Sequence, residues 1–425
     1  MRRGLKLRDT QPDPFDRLNA PDRGPITVAL SGGGDSLALL HLVKAWADRA
    51  GRPLVALTVD HGLQAAGAAW SRFAAERAAR LGVAHRTLVW TGEKPRTGLP
   101  AAARAARHAL LADAARDLGA RVILMGHTAD DLAEAAAMRQ AGATAPSPRA
   151  WSPSPAWPAG RGVFILRPLL DVRRAELRDL LRGLGESWIE DPANDDPRYS
   201  RTLARRRLVS RDGPLPNFEE APSRCLALDQ MRHGAGGELA IPRAALDRSD
   251  DARRLLGAMV LSAAGTTRPP SAASLDRLLA ELAPFTASLA GARIEAGHAQ
   301  VTVCREAGER ARGGMAGYDL PTGESVFDGR FAMTAEAPGW RVAPLGGLAR
   351  RLPEPQQRRL RALPPAVRPT LPAAILHTGY VTCPVIADAG PVRAFPLPGT
   401  RLFAALGAIP DEASIWRVAK LPSAP

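Results

Sequence analysis

Short apolar runs alternate with longer amphipathic segments between residues 26 and 125. The runs predict four strands, at Ile26–Leu30, Leu54–Val59, His85–Trp90 and Val122–Met125. The intervening segments have helical periodicity and predict helices at Ser36–Ala50, Ala68–Leu81 and Pro100–Leu118. Strands that alternate with helices are joined by right-handed crossovers into a parallel sheet. The pattern therefore predicts a doubly wound α/β fold, in which ligands bind beyond the carboxyl ends of the strands.

The alternation stops after a helix predicted over residues 131–139. Gln140–Gly162 contains five prolines with Trp151 and Trp157, and it predicts a long, mobile loop. The two tryptophans could stack on bases or, equally, fill a packed loop as hydrophobic plugs. Phe164–Leu166 predicts another strand. A helix is predicted at Asp171–Gly185, with the aspartate as N-cap and the glycine as C-cap.

The rest of the chain predicts two further domains. Pro214–Ala221 is typical of a linker, the following segment is mainly helical in pattern, and Ala292–Cys304 predicts a hairpin. Beyond residue 320 the chain is rich in proline and glycine, with short β-like runs. We thus expect an N-terminal extension (1–25), an α/β domain (26–215), a mainly helical domain (222–310) and a small β-containing C-terminal domain (320–425).

Composition excludes several classes of protein. Hydrophobic residues make up 45% and charged residues 24% of the 425 residues, as in ordinary globular proteins. The three cysteines, Cys225, Cys304 and Cys383, form no CxxC pair, which excludes a disulfide scaffold, a zinc ribbon and a cysteine-ligated cluster of the usual spacing. No apolar run has the length of a membrane span, and no apolar signal region follows the basic N-terminus. We expect a cytoplasmic protein with no membrane partner.

The net charge indicates a polyanionic partner. Lysine and arginine number 57 against 43 acidic residues, a formal charge of +14, and only four of the basic residues are lysines. A biased composition is one explanation of the arginine excess. It does not explain why most of the net positive charge lies in residues 1–212. This distribution favours a polyanionic partner that docks on the N-terminal half.

A glycine-rich segment directly follows the first predicted strand and precedes an apolar helix. It reads SGGGDS, that is Ser31, Gly32, Gly33, Gly34, Asp35 and Ser36. Consecutive glycines permit a tight turn that presents backbone N–H groups, and the helix adds the positive end of its dipole. This is an anion site suited to pyrophosphate, at which Asp35 is a candidate Mg²⁺ ligand. A plain glycine-rich turn is the alternative; without a following lysine the segment is not a Walker A loop.

Polar side chains also follow the second and fourth predicted strands. His61 comes after the second strand, and His127, Asp130 and Asp131 come after the fourth. All of them fall at the predicted cleft edge. Two adjacent carboxylates beside a histidine suit metal binding or general base catalysis. The structural alternatives are that one aspartate only N-caps the helix over 131–139, and that His61 is a satisfied turn histidine.

An arginine-rich run, RYSRTLARRRLVSR, begins at Arg198 and contains six arginines and no acid. On a helix, Arg198, Arg201 and Arg205 share one face, while Arg206 and Arg207 fan out. A solvated basic face is the usual interpretation of such a run. Close to a phosphate site we favour a phosphate clamp, because the guanidinium is a planar, bidentate fork.

Together these motifs resemble the tRNA(Ile)-lysidine synthetase family of PP-loop ATP pyrophosphatases, over about residues 26–210. Leu226–Glu306 resembles, more weakly, the helical substrate-binding domain of that family, which implies that role for residues 222–310. SGGGDS is similar to the pyrophosphate loop. The other family elements are DHGLR at Asp60–Gln64, AR-x-x-R-Y at Ala103–His108, GH-x-x-DDQAET at Gly126–Ala135, RPLL at Arg167–Leu170, and DPSN-x-D at Asp191–Asp195 leading to Arg201 and Arg205. The chain departs from the family pattern at Gln64, His108, Leu132 and Ala135, which affects side-chain contacts there but not the ATP site.

The resemblance implies a HUP-like PP-loop fold, ATP and Mg²⁺, and a two-step reaction. ATP adenylates the carbon 2 oxygen of the wobble cytidine in the CAU anticodon of tRNA(Ile), and pyrophosphate is released. The ε-amino group of free L-lysine then attacks carbon 2 and expels AMP. The resemblance leaves open whether the protein forms a homodimer.

The resemblance also implies residue roles. The amides of Gly32–Gly34 and the hydroxyls of Ser31 and Ser36 hold phosphates, His61 belongs to the nucleotide site, and Asp35 binds Mg²⁺. Arg104 stabilises the charge that develops on the adenylate. Asp130 or Asp131 orients the cytosine or the amine, and His127 or an aspartate is the general base. Contact with the substrate and with the phosphates of the tRNA is assigned to Arg107, Arg201, Arg205, Arg206 and Arg207.

Two other functions stay open from the sequence. A tRNA thiolase of the same class usually needs a catalytic cysteine or a cluster, and residues 1–224 contain no cysteine. A catalytically inactive RNA-binding relative is the second alternative, against which the retention of SGGGDS and both aspartates argues. Pyrophosphate release from ATP in the presence of tRNA distinguishes these alternatives.

Overall fold

The computed structural model describes residues 13–142, 148–191 and 228–419, which form two compact units. The first unit contains the described part of Met1–Pro222 together with Ile409–Arg417, and the second contains the described part of Ser223–Ala408 and Val418–Pro425. Residues 409–417 thus group with the α/β unit, although they fall within the predicted C-terminal domain. The predicted domain boundaries stay a prediction. None of the described helices is long and apolar enough to cross a membrane.

A six-stranded sheet forms the centre of the first unit. Its strands are β1 (Ile26–Ala29), β2 (Leu54–Asp60), β3 (Ala84–Val89), β4 (Val122–Leu124), β5 (Trp151–Pro153) and β6 (Phe164–Leu166). The spatial order is β3-β2-β1-β4-β6-β5, with β5 antiparallel to β6 and all other pairs parallel. The predicted doubly wound parallel sheet is confirmed.

Five helices alternate with these strands, close to the predicted positions. They are α1 (Gly34–Ala50), α2 (Gly67–Arg80), α3 (Leu99–Asp117), α4 (Ala129–Gln140) and α5 (Arg174–Gly183). One apolar cluster joins α3 to the strands through Leu57, Leu111, Ile123 and Ile165. The central strands β1, β4 and β6 are buried apolar runs, as expected where helices cover both faces of a parallel sheet, whereas the edge strand β3 is mostly exposed.

The strand order reverses beside β1. The chain proceeds from β1 outward to β2 and β3, and then returns to β4 on the other side of β1. In open α/β sheets the ligand crevice lies at this switch point, outside the carboxyl ends of the strands. SGGGDS follows β1 and Gly126 follows β4, so both motifs reach the crevice from adjacent strands.

The segment predicted as a mobile loop is partly built into the sheet. Trp151 begins β5, is 6% exposed, and stacks on Phe164 with ring centroids 4.9 Å apart. Its indole Nε1 donates to the carbonyl of Ile409 at 2.7 Å. For Trp151 the structure therefore supports the alternative of a hydrophobic plug in a packed segment and contradicts stacking on bases. Residues 143–147 of the predicted loop lie outside the described residues.

The predicted start of α5 is also wrong. The helix begins at Arg174, and the backbone N–H of Arg173 donates to the Glu176 carboxylate at 3.2 Å, so Asp171 is not the N-cap. Asp171 lies in a turn that precedes the helix. This later start places Arg174 in the first turn of α5, where its guanidinium contacts Asp35 of the turn after β1.

The second unit contains more strands than predicted. Its first part holds α6 (Asp250–Ala264), α7 (Ala272–Ala280), and the strands β7 (Arg232–His233), β8 (Leu239–Pro242), β9 (Phe285–Leu289), β10 (Ala292–Ala296) and β11 (Gln300–Arg305). These strands form one antiparallel sheet in the order β7-β8-β11-β10-β9. The mainly helical pattern is right only for α6 and α7, since periodicity cannot separate apolar runs of four or five residues into helix and strand. The predicted hairpin is confirmed as β10–β11.

The remainder of the second unit contains two small sheets and two helices. The elements are β12 (Tyr318–Asp319), β13 (Gly323–Phe327), β14 (Phe331–Ala335), β15 (Trp340–Pro344), α8 (Glu354–Ala362), β16 (Pro372–Leu376), β17 (Val381–Thr382), β18 (Val392–Pro396) and α9 (Pro398–Leu406). The sheets have the orders β12-β15-β16-β17 and β13-β14-β18. This part is β-containing, as predicted.

The last described helix, α10 (Glu412–Ala419), begins in the segment that belongs to the first unit. Arg52 and Glu412 form a buried, bidentate ion pair with N–O distances of 2.9 and 3.0 Å. Their side chains are only 3% and 2% exposed. The α/β unit therefore includes a stretch of chain from near the C-terminus.

Candidate active site

Hydroxyl groups fix the shape of the turn after β1. The Ser36 hydroxyl donates to the Gly33 carbonyl at 2.9 Å and accepts the Ser31 N–H at 3.2 Å, and it lies 3.0 Å from the Ser31 hydroxyl. Both hydroxyls are thus already used within the turn. The backbone N–H groups at the start of α1 lack acceptors within the helix, as in the first turn of any α-helix. They and the helix dipole are the features that favour an anion here.

One of the three glycines, Gly32, is also required by its backbone conformation and its packing. Gly32 has a φ of 83°, and an ideal Cβ there would lie 2.6 Å from the Ile189 side chain. A Cβ on Gly34 would make an ordinary van der Waals contact, 3.4 Å from the indole of Trp188. The Ile189 N–H donates to the Gly32 carbonyl at 2.9 Å, so residues 188–189 lie directly against the turn. Sequence analysis assigned the glycines to anion binding and missed this second requirement.

Arg174 joins the turn to α4. Its Nε donates to Asp35 Oδ2 at 3.0 Å, Nη1 donates to Glu134 Oε1 at 3.3 Å, and Nη2 lies 3.6 Å from Asp131 Oδ1. Its backbone N–H donates to Asp130 Oδ2 at 2.7 Å. Burial raises the pKa of Asp35, and Arg174 opposes that rise. Sequence analysis missed Arg174, because nothing in the pair Arg173-Arg174 indicates which arginine faces the crevice.

The two aspartates after β4 have different local roles. Thr128 is the N-cap of α4, and Asp131 Oδ2 accepts the Thr128 N–H at 2.8 Å and its hydroxyl at 3.1 Å. This capping box explains the buried position of Asp131. The structural alternative, in which one aspartate is the N-cap, is wrong, because the helix starts at Ala129 and Thr128 is its N-cap. Asp130 instead accepts a hydrogen bond from the backbone N–H of Arg174, the first residue of α5.

A cationic cluster surrounds His108 on α3. The ring is 4% exposed, and neither nitrogen has a hydrogen-bond partner among the described residues. Burial, and then the charges of Arg107 and Arg104, lower the pKa of His108 to about 3; Arg167 and His127 add to this effect. The imidazole is therefore neutral near pH 7, and the surrounding positive charge favours an anion.

His61 lies near this cluster. Its ring meets Trp90 edge to face at 6.1 Å between centroids, and Lys94 Nζ lies 4.0 Å from the centre of the same indole. His61 Nδ1 is buried without a hydrogen-bond partner among the described residues, so His61 is not the satisfied turn histidine of the structural alternative. Burial, and then the charge of Arg107, lower the pKa of His61.

The remaining predicted site residues are Arg201, Arg205, Arg206 and Arg207, which lie outside the described residues. Within the described part of the chain, no group of three or more histidine, cysteine, aspartate or glutamate side chains could hold a metal ion. The structure therefore brings together two sets of predicted residues. Asp35, Asp130 and Asp131 meet at Arg174, and Arg104, Arg107 and His127 meet around His108.

Comparison with known proteins identifies the family. The sequence profile of the PP-loop domain matches residues 12–212. A tRNA(Ile)-lysidine synthase of Caulobacter vibrioides is 47% identical over 407 residues, which cover 93% of this chain and 96% of that protein. The chain belongs to the tRNA(Ile)-lysidine synthase family. Another member, from Hyphomonas neptunium, is 39% identical and covers 68% of this chain and 84% of its own length.

Similarity to solved structures is much weaker. A U34-tRNA thiolase from Methanococcus maripaludis is similar over 46% of this chain and 68% of its own, with a TM-score of 0.38 and 16% identity. This similarity is too low to support a thiolase. The lysidine synthase family covers nearly the whole chain, including the second unit that motifs alone did not place.

Proposed function

We propose that this lysidine synthase family member uses ATP to join lysine to carbon 2 of the wobble cytidine in tRNA(Ile) with a CAU anticodon. One observation carries the proposal: the chain is 47% identical to a tRNA(Ile)-lysidine synthase over 93% of its length. It also retains SGGGDS at the N-terminus of α1. Because the substrate is a tRNA, we also propose that the enzyme acts in the cytoplasm; a homodimer stays a prediction.

In the first step the carbon 2 oxygen of the cytidine attacks the α-phosphorus of ATP, and the bond to the leaving pyrophosphate breaks. The backbone N–H groups of the turn and the α1 dipole are positioned to hold that pyrophosphate. The Ser31 and Ser36 hydroxyls act indirectly, because they hold the turn in shape. We therefore assign phosphate contacts to the amides of Gly32–Gly34 rather than to the hydroxyls.

Asp35 fits a role as a Mg²⁺ ligand. It lies in the first turn of α1, beside the proposed phosphate position, and its side chain is 24% exposed. Mg²⁺ is commonly held by one or two carboxylates together with substrate phosphates and water, so a three-residue cage is not required. The ion would neutralise charge on the phosphates during adenylation.

The cationic cluster around His108 supplies the positive charge that the adenylation step needs. Arg104 and Arg107 lie on α3, and their charges, with that of His127, act on His108. A fixed guanidinium beside the α-phosphate stabilises the negative charge that develops there. We assign this role to Arg104, and we assign contact with the tRNA substrate to Arg107. The phosphate clamp formed by Arg201, Arg205, Arg206 and Arg207 stays a prediction.

In the second step the ε-amino nitrogen of lysine attacks carbon 2, AMP leaves, and the amine loses a proton. Asp131 is a poor base, because one oxygen accepts two hydrogen bonds from Thr128 and the other faces Arg174. Asp130 accepts the backbone N–H of Arg174 through Oδ2, at 2.7 Å. We therefore propose Asp130 or His127 as the base and Asp131 as an orienting group.

Mass spectrometry of tRNA tests the proposal directly. The purified protein is incubated with tRNA(Ile) bearing CAU, ATP, Mg²⁺ and lysine, and the wobble nucleoside is then analysed. We expect lysidine with lysine present, and pyrophosphate release with adenylated tRNA when lysine is omitted. Asp35→Ala should abolish both products while tRNA binding persists. The elongator methionine tRNA, which shares the anticodon, is the substrate control. Absence of both products from the wild-type protein would refute the proposal.

A further inference from the structure

We propose that Arg174 is a positioning residue of the nucleotide site, whose single guanidinium holds the carboxylates of Asp35, Asp131 and Glu134 and sets the charge that the turn after β1 presents to ATP. The inference rests on the proposed function, because it assumes that the turn binds the phosphates of ATP. It adds a residue and a role that the motifs do not assign.

The placement of Arg174 supports this role. It is the first residue of α5, and its backbone N–H, Nε, Nη1 and Nη2 each face a different carboxylate. These carboxylates belong to the first turn of α1 and to α4. One side chain therefore connects the turn after β1 with the helix after β4, across the switch point of the sheet.

Burial gives these contacts their strength. The Arg174 side chain is 16% exposed, Asp131 is 11% exposed, and Glu134 is 1% exposed. Charges this far from water interact strongly, and a buried charge that loses its partner is costly. The three carboxylates together raise the pKa of Arg174 above its ordinary value even though burial alone would lower it. Arg174 is thus a permanent cation of the site.

The charge balance predicts opposite effects on two ligands. The Arg174 guanidinium faces three carboxylates, the Asp130 carboxylate accepts the Arg174 backbone N–H, and the charge of Arg178 also acts on Asp35. Whatever the sum of these charges, removing the guanidinium makes the cluster more negative by one unit, which repels the phosphates of ATP and attracts a free divalent cation. A residue that only supports the fold would weaken the binding of both ligands, or of neither.

The test compares Arg174→Gln, Arg174→Lys and wild type by calorimetry. The ligands are ATP with the metal chelated, and Mg²⁺ alone. For Arg174→Gln we expect ATP binding to weaken about tenfold and Mg²⁺ binding to tighten about tenfold, between the values for exposed and partly buried unit charges. Arg174→Lys keeps the positive charge but not the bidentate guanidinium. Its Mg²⁺ affinity should therefore equal that of the wild type, and its ATP affinity should lie between those of Arg174→Gln and the wild type.

Arg182→Gln is the matched control on the same helix. Arg182 is 63% exposed and pairs only locally, with Asp179 one turn away, so neither affinity should change. ATP and Mg²⁺ affinities that change in the same direction, or not at all, in the folded Arg174→Gln protein would overturn the proposal. If that variant does not fold, Arg174→Lys decides: unchanged ATP affinity and an unchanged KM for ATP would also overturn it. Failure of the wild type to form lysidine would instead refute the proposed function.

Discussion

Replacing Gly126 by alanine would bring a methyl group too close to the backbone of Asp35 and Ser36, which follow the turn after β1. An ideal Cβ at this position lies 2.9 Å from the carbonyl oxygen of Asp35 and 3.2 Å from the Cα of Ser36. Both are backbone atoms, so they cannot rotate away as the end of a side chain would. To reach ordinary contact at 3.4 Å, the end of β4 and the turn must separate by 3.4 − 2.9, or about 0.5 Å.

This displacement sets the expected magnitudes for Gly126→Ala. Overpacking of a well-filled interior costs roughly 1–3 kcal/mol. A misplacement of 1 Å in a catalytic site can cost about a hundredfold in rate. Half that displacement should therefore lower kcat/KM for pyrophosphate release by about tenfold. The effect is steric, because no charge or hydrogen-bonding side chain is removed.

The assay measures tRNA-dependent pyrophosphate release, with chemical denaturation of the same preparation. Gly183→Ala is the control, since a Cβ at that last residue of α5 meets nothing within 4 Å. Alanine is favoured over glycine in a helix by up to about 1 kcal/mol, so the control should be active and no less stable. Wild-type activity and stability in Gly126→Ala would show that the turn tolerates the displacement, and would refute the reasoning.

Two further predictions concern buried charge. Glu412→Gln should destabilise the protein by about 3 kcal/mol, because it leaves Arg52 buried without its anion, and denaturant titration measures this loss. The exposed pair Lys44–Asp48 is the control, and removing it should cost less than about 1 kcal/mol. His108 is neutral when folded but gains a proton when unfolded, so its contribution to stability is lost as the pH falls from 6.5 towards about 3. His108→Tyr should lower the slope of stability against pH in that window; an unchanged slope would show that the ring is not the source.

The α/β unit was predictable because its signal is local. Strands β1, β2 and β4 are short, largely buried apolar runs, whereas the edge strand β3 is mostly exposed, and the helices between them have amphipathic periodicity. The second unit is different. Its strands β8 and β9 are four and five residues long, so composition and periodicity could not separate them from helical turns. Antiparallel pairing, of β8 with β11 and of β9 with β10, decides their structure.

Trp151 shows the same limitation in a single residue. Its proline-rich surroundings predicted a mobile loop, and local sequence contains nothing to the contrary. The structure stabilises it through partners that are distant in sequence, the ring of Phe164 and the carbonyl of Ile409. A partner 258 residues away cannot be inferred from the pattern of one chain. Tertiary contacts therefore overrode the turn signals of the prolines.

The site shows which features a motif can reveal. Charged and glycine residues after strands were recognised from sequence because chemistry requires them at that position. Sequence analysis assigned no role to Gly126, Trp188 and Ile189. These residues pack the end of β4 and residues 188–189 against the turn after β1, and such contacts between distant segments leave no local pattern. The turn after β1 is confined by β4 on one side and by residues 188–189 on the other, and Arg174 joins it to α4. A turn held from three directions presents its N–H groups in fixed positions, which is what electrostatic stabilisation of a leaving pyrophosphate requires. The glycines are therefore needed as much for the packing that fixes the anion site as for the conformation of the turn itself.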